Sequence, residues 1–452
     1  MFSSKKIHMI GIGGVSMSGI ADILLSYNCQ ITGYDAKESE LTKRLISKGV
    51  KISYSYNLEN VENADIVIYT AAIKDDNEEL AYAKKLNKEL YERSVFFGLM
   101  MKNYKNVLCI SGTHGKSTTS GMVSSIFLEA EMNPTIQIGA ILPKIAGNDY
   151  IGGKEYFIAE ACEYVDSFLD FFPTAEIILN IDNDHLDYFH NLENIIKSFN
   201  RYTKLLPENG ILVINADDEN TLLACKDKEK KISYGLENSA NYMAKNIEFN
   251  ESGHARYDLY INNEFKTRIE LSVSGKHNVY NSLAAIALSN QYISDLEPIK
   301  KALKEYRGVG RRFELLGSYN NCPVYDDYAH HPSEIQTTYE SVKKTKHNEN
   351  WAIFQAHTYS RTKDHLEDFG KVLAQFDHVV IAEIFAAREE NIYNVHEEDL
   401  VNLIKENGND NVIYINSFEK IEEYIKENVK ENDLIITVGA GPINEVAKKL
   451  AN

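Results

Sequence analysis

The stretch VLCISGTHGKSTTSGMV, residues 107–123, constrains the fold of this chain more than any other. Its opening run, Val107–Ile110, is apolar in the way of a buried strand. Ser111-Gly112-Thr113-His114-Gly115-Lys116-Ser117-Thr118 follows, and a helical pattern begins near Thr119. Strand, glycine-bearing turn, Lys-Ser and helix in that order are what a phosphate-binding loop requires. The glycines let backbone N–H groups close around phosphate oxygens, and the helix N-terminus adds a favourable dipole. Lys116 can reach β- and γ-phosphates, and the Ser117 hydroxyl can ligate Mg²⁺. Only Thr113 and His114 separate the two glycines, half the spacing of ordinary P-loop NTPases.

The chain around this loop reads as α/β in three parts. In the first, KIHMI (6–10) forms a strand, Gly11-Ile12-Gly13-Gly14 turns into a helix reaching about Tyr27, and QITGYD ends a second strand at Asp35. This is the opening of a Rossmann-like unit with an acidic residue after its second strand. The spacing is G-x-G-G, so a dinucleotide and a nucleoside diphosphate fit equally well. ADIVIYTAAI (64–73) makes a third strand ending in the small residues Thr70-Ala71-Ala72, which suit either close packing or a ligand near backbone.

A basic-polar stretch near Lys102–Asn106 closes this part, giving a first domain of 1–104. The second, 105–308, alternates strands (155–160, 175–181, 210–217) with a helix over 192–206. Residues 241–273 change to alternating segments joined through Asn262-Asn263, which predicts a small antiparallel part, and a helix over 277–293 follows. GVGRRFE (308–314) marks the second boundary. The third part, 309–452, has strands near CPVYDDY, WAIFQAH, HVVIAEI and DLIITVGAG, with helices near 332–344, 366–375, 417–428 and 443–451.

Composition narrows the function. A net charge of −18 argues against a nucleic-acid surface, which needs a basic face. The five cysteines are scattered without C-x-x-C spacing, as in a reducing compartment with neither disulfide framework nor zinc site. The N-terminus reads as strand and turn rather than a signal peptide, and no apolar run approaches membrane-spanning length. A cytoplasmic protein without membrane insertion, monomeric or homodimeric, is expected.

Polar clusters fall at predicted strand ends, where open α/β sheets bind ligands. Glu160 ends one strand; Asp182, Asp184 and His185 follow another. Beside a phosphate loop, Glu160 and His185 read as holders of Mg²⁺, whereas Glu163, Asp166 and Asp182 read as helix caps. Asn278 and Asn281 share one helix face and could read a base edge or cap the helix. Arg311-Arg312 could clamp phosphate or form a solvated hinge. Asp326-Asp327-Tyr328-Ala329-His330-His331-Pro332 and Gln355–Thr362 gather acid, phenol and imidazole groups on strand-end loops.

These motifs in sequence resemble the Mur ligase family along essentially the whole chain. GIGGVSMSGIA, YTAAI, GTHGKSTT, EACEYVDSFL, NIDNDHLDYF, GKHNVYNSLAAIA, GVGRRFE, YDDYAHHPSEI and FQAHTYSRT carry the likeness, and the short phosphate loop is typical of that family. Within it, the chain is most similar to members that join L-alanine to UDP-N-acetylmuramate.

The resemblance implies a UDP-sugar site at Gly11, Ile12, Gly13, Gly14, Asp35, Thr70 and Ala71. It implies an ATP site at Gly112, Thr113, His114, Gly115, Lys116, Ser117 and Thr118, with Asn278 and Asn281 at adenine and with Arg312 and Asp326 also reaching the nucleotide. Mg²⁺ would sit on Ser117, Glu160 and His185. Tyr328, His331, His357 and Arg361 would line the amino-acid end, and Lys116, Glu160, His185 and His330 would be catalytic. Departures from the family pattern stand at Cys162 and Tyr164, in YTAAI, and at Ala356 and Thr358, where Pro and Arg are usual. A ligase that attaches a recycled peptide to the same sugar, and an NAD-dependent oxidoreductase, are the competing readings.

Overall fold

The structure, a computed structural model, describes residues 2–387 and 389–451. It is α/β, with three sheets. The chain packs as two compact units, 1–243 with 261–264 and 281–302, and 244–260 with 265–280 and 303–452.

The first unit carries the Rossmann-like sheet and most of the phosphate-loop sheet. The Rossmann-like sheet is wholly parallel, in the order Lys51–Ser53, Gln30–Tyr34, Lys6–Ile10, Ile66–Tyr69, Glu89–Glu92. In the phosphate-loop sheet, Asn106–Ser111 lies between Ala175–Ile178 and Tyr156–Glu160, parallel to both. Thr135–Leu142 continues one side and Ile211–Asn215 the other, with Gly147–Tyr150 as an antiparallel edge. A central strand buried on both faces needs apolar residues at every position, and Val107–Ile110 are all fully buried.

The two sheets of this unit share one hydrophobic core. Phe97, on the helix Arg93–Met101, meets Phe157 edge-on at 5.5 Å and Phe171 at 5.3 Å. The same helix approaches the 164–170 segment so closely that a Cβ on Gly98 would stand 2.0 Å from the Asp170 carbonyl oxygen. Helix starts follow local chemistry, with Ser39, Asn57, Asn77, Asn191 and Asp218 each accepting a first-turn N–H.

The strands His254–Ile261 and Glu264–Ser274 are neighbours in their sheet. The two-residue Asn262-Asn263 connection, both at positive φ, makes them the expected antiparallel hairpin. The third sheet runs Glu314–Tyr319, Cys322–Asp327, Leu434–Val438, Asn350–Phe354, His378–Ile381, Val412–Tyr414; only its first pair is antiparallel. Its helices Pro332–Lys344, Leu366–Leu373, Phe418–Asn428 and Asn444–Ala451 lie where the periodicity places them.

Candidate active site

In the first unit the phosphate loop joins strand Asn106–Ser111 to the helix Lys116–Glu129. Gly115 caps that helix in the left-handed region, at φ 85°, with no side-chain cap and no acid in the first turn. The helix N-terminus is therefore open to an anion.

The loop is braced from the next strand. Asn180 accepts the His114 N–H through Oδ1 at 2.8 Å and donates through Nδ2 to the His114 carbonyl at 3.0 Å. The Thr113 hydroxyl accepts the Asp182 N–H at 2.9 Å, and the His114 ring reaches Asp182 Oδ2 at 3.1 Å. His114 thus acts in shaping the loop, and Asp182, read from sequence as a cap, anchors it. Asn281 also comes to this loop: a Cβ on Gly115 would lie 2.7 Å from its Oδ1. Asn278 Nδ2 donates to the Ser274 carbonyl at 2.7 Å, beside the start of the helix Lys276–Ser289.

Lys116 Nζ donates to the carbonyls of Gly112 at 2.6 Å and Thr113 at 3.0 Å, and to both oxygens of Glu163 at 3.1 and 3.0 Å. Burial opposes the charge on Lys116, but Glu163, with Cys162 and Glu160 nearby, more than offsets this and raises its pKa. Sequence patterning gave Glu163 no such role. The signal that could have found it is elementary: a buried lysine needs a counter-anion, and Glu163 stands three residues beyond Glu160 on the same strand-end loop.

Glu160 ends strand Tyr156–Glu160 beside Ile110. Its Oε2 accepts the Gly139 N–H at 3.0 Å, and among the described residues Oε1 has no hydrogen-bond partner. His185 is held at φ 55°, with its ring 4.5 Å from that of Tyr164, whose hydroxyl donates to Asp187 at 2.9 Å. The family departure at Tyr164 therefore packs on the imidazole proposed as a ligand. Ser117 is buried at the helix start. A hydroxyl and a carboxylate with a free oxygen are hard donors that fit Mg²⁺; the imidazole is the less usual member of the set.

The Gly11–Gly14 turn opens the helix Val15–Ser26, again with no side-chain cap and no acid in its first turn. Asp35 Oδ2 accepts the Gly13 N–H at 2.8 Å, and a Cβ on Gly11 would lie 2.7 Å from Thr70 Cγ2. Asp35 and Thr70 thus flank this turn, and Ala71 lies exposed beyond Thr70. Ile12 is fully buried, so only its backbone can meet a ligand.

In the second unit, Arg311 rather than Arg312 makes the buried ion pair. Its Nε donates to Asp326 Oδ2 at 2.9 Å, and its Nη2 to the carbonyls of Gly439 and Gly441 at 2.7 and 3.0 Å. Thr437 donates to the other Asp326 oxygen at 2.6 Å, so both oxygens of this candidate nucleotide ligand are engaged within the fold. Arg312 stands 3.8 Å from Glu334 and lies over the Tyr328 ring at 5.4 Å.

His330 Nδ1 lies 3.0 Å from the Tyr328 carbonyl, which fixes it as the protonated nitrogen, and its ring meets His357 edge-on at 5.9 Å. His357 Nδ1 is 3.3 Å from Arg361 Nη1; burial, His330 and Arg361 lower its pKa to about 4. His331 starts the helix Pro332–Lys344, its Nδ1 2.7 Å from the Ser333 hydroxyl, and its ring packs on His365 at 4.6 Å. His330, His357, Arg361 and Tyr328 therefore form one cluster, while His331 is turned to the helix start. Thr358 stands at φ 65° and caps Tyr359–Asp364.

Family profiles match the chain in three consecutive pieces: the Mur ligase family catalytic domain over residues 6–105, the Mur ligase middle domain over 110–289, and the Mur ligase glutamate ligase domain over 311–441. The UDP-N-acetylmuramate–L-alanine ligase of Caldanaerobacter subterraneus subsp. tengcongensis is 46% identical, across 98% of this chain and 97% of its own. That of Acetivibrio thermocellus is 46% identical, across 98% and 95%. The crystal structure of the UDP-N-acetylmuramate–alanine ligase of Thermotoga maritima matches with a TM-score of 0.84 at 29% identity, covering 99% of this chain and 98% of that one. A murein peptide ligase from Psychrobacter arcticus matches with a TM-score of 0.74 at 24% identity over 99% and 98%, a likeness of fold alone.

Proposed function

The chain belongs to the Mur ligase family, and from that premise we propose that it joins L-alanine to the lactyl carboxylate of UDP-N-acetylmuramate. The reaction is ATP-dependent and belongs to peptidoglycan synthesis. The observation that carries this reading is the cradled Lys116 at a short phosphate loop, in a chain matching L-alanine ligases over 98% of its length.

A carboxylate is a poor acyl donor. ATP first transfers its γ-phosphoryl group to it, releasing ADP and leaving an acyl phosphate. The L-alanine amine then attacks the acyl carbon, and the tetrahedral intermediate collapses with loss of phosphate. The loop N–H groups and Lys116 neutralise the transferring group, and no protein atom needs to bond covalently to substrate. Mg²⁺, when held by Ser117, Glu160 and His185, supplies further charge neutralisation at the phosphates.

We assign 1–104 to the UDP-sugar, 105–308 to ATP and 309–452 to the amino acid. Gly11 to Gly14, Asp35, Thr70 and Ala71 serve the first; Gly112 to Thr118, Asn278, Asn281 and Arg312 the second; and His330, His357, Arg361 and Tyr328 the third. The five unpaired cysteines and the nucleotide substrates suit the cytoplasm, and the protein works as a monomer or homodimer. No described helix is long and apolar enough to cross a membrane.

ADP release measured with UDP-N-acetylmuramate and single amino acids tests the reading. Turnover with L-alanine is expected. Turnover only with a tripeptide would move the assignment to a peptide-recycling ligase, and hydride transfer with NAD to an oxidoreductase.

A further inference from the structure

Lys116 and Glu163 make a contact that the ligation chemistry does not call for. Both carboxylate oxygens lie within 3.1 Å of the ammonium, and the two side chains are only 14% and 2% exposed. A phosphate-loop lysine has three N–H donors. Here two of its contacts are the loop's own Gly112 and Thr113 carbonyls, and the remaining partner is the carboxylate. A carboxylate in that place offers two anionic oxygens to the ammonium, as a phosphate does.

The segment that presents Glu163 is built to hold it. Val165 and Asp166 both stand in the left-handed region, at φ 51° and 59°, a conformation costly for a β-branched residue. Asp166 keeps it there: its carboxylate accepts from Arg201 at 2.6 Å, from Tyr188 at 3.1 Å and from Ser198. The Glu163 carbonyl accepts the Asp166 N–H at 2.9 Å, and the Cys162 carbonyl accepts that of Phe168 at 3.1 Å. Strain in a loop that presents one buried acid to the loop lysine suggests placement for a purpose.

Resting on the nucleotide reading above, we infer that Glu163 is a positioning residue that occupies Lys116 until nucleotide arrives. ATP binding is then an exchange of anions on Lys116, carboxylate for β/γ-phosphate. In the free protein the pair keeps a buried cation from standing uncompensated, which would be costly. The same contact taxes nucleotide binding, because phosphate must displace or share a partner already in place.

The exchange makes an unusual prediction: weakening the acid should tighten ATP. Glu163→Gln keeps size and removes charge; Glu163→Asp keeps charge and withdraws the carboxylate by one methylene. Dissociation constants for ATP and for AMP are measured on the full chain by titration calorimetry at fixed Mg²⁺. AMP lacks the phosphates that Lys116 reaches. ATP is expected to bind about three- to tenfold tighter to Glu163→Gln and about two- to threefold tighter to Glu163→Asp, with AMP unchanged in both.

Unchanged or weaker ATP binding in a folded variant overturns the exchange. So does a parallel change in ATP and AMP, the mark of a merely structural residue. If Glu163→Gln does not fold, Glu163→Asp decides by the same comparison. Failure of the unaltered protein to bind either nucleotide refutes the ATP-site reading, and the exchange with it.

Discussion

Gly112 and Gly115 bracket the phosphate loop, and substituting each by alanine tests it in a graded way. At Gly115 the backbone is left-handed, and an added Cβ would meet Asn281 Oδ1 at 2.7 Å and Leu179 Cδ1 at 3.4 Å. The first atom is the end of a side chain, which can move. The remaining cost is that of a left-handed alanine, about 1–2 kcal/mol. At Gly112, φ is 134°, and the Cβ would lie 2.9 Å from Leu179 Cβ, 3.1 Å from Leu179 N and 3.2 Å from Asn180 N. Those atoms belong to the residue that directly follows the strand Ala175–Ile178 and to the residue that braces His114, and two of the three are backbone, which yields less readily than a side-chain end. Backbone strain of about 1–3 kcal/mol and overpacking of a similar size together give roughly 2–6 kcal/mol. If the loop relaxes when empty, ATP must restore it and its affinity falls by that amount. At about 1.4 kcal/mol per decade, Gly115→Ala weakens ATP about five- to thirtyfold, and Gly112→Ala at least about thirtyfold. Titration with ATP measures this, and titration with UDP-N-acetylmuramate checks that the variants are folded. Gly112→Ala binding ATP within twofold of the unaltered protein, or no worse than Gly115→Ala, would refute the reasoning.

Two further outcomes concern the second unit. Arg311→Met leaves Asp326, 1% exposed, with Thr437 as its remaining side-chain partner among the described residues, and should cost about 3–5 kcal/mol; Arg312→Met removes a longer, partly exposed pair at 3.8 Å and a place over the Tyr328 ring, and should cost less than Arg311→Met. Urea unfolding ranks them, and the opposite order would show that the wrong arginine has been placed at the core. His357, lowered to about 4, should make stability rise with pH between about 4 and 6.5, because across that window the unfolded chain binds the proton that the folded one refuses. The difference is about 3 kcal/mol at most. Asp327, raised to about 6 by burial, contributes in the opposite sense, being most favourable below about 4 and lost as pH rises through 6. Urea midpoints of the unaltered protein and His357→Asn, compared across pH 4–7, isolate the histidine because Asp327 is common to both; parallel curves would refute the assignment.

The features legible in the sequence are those whose cause is local. Val107–Ile110 reads as a strand because burial on both faces demands an unbroken apolar run, and the helix Pro332–Lys344 because Pro332 marks its start. Short edge strands such as Lys51–Ser53, Glu89–Glu92 and Val412–Tyr414 carry no such signature, since three or four residues become a strand only against a neighbour. The same division runs through the site. Lys116 is named by its motif, whereas its partner Glu163 lies 47 residues away and joins it only when two adjacent strands end side by side. Arg311 and Arg312 are chemically identical in the sequence. What separates them is the positive φ of Arg311, which no residue type at that position announces and which accompanies its turn toward Asp326 and the Gly439–Gly441 carbonyls. Yet the missing partners were not beyond reach. A cation destined for burial must meet an anion, and strand order limits the candidates to acids on the neighbouring strand ends. For Lys116 those are Glu160 and Glu163 after one neighbouring strand and Asp182 and Asp184 after the other, and Asp182 is already engaged by Thr113 and His114. Glu160 has one oxygen bound to the Gly139 N–H, whereas both oxygens of Glu163 lie against the lysine. The pairing of Lys116 with Glu163 thus needs the fold as well as the motif, because only the structure shows which of these acids the ammonium meets.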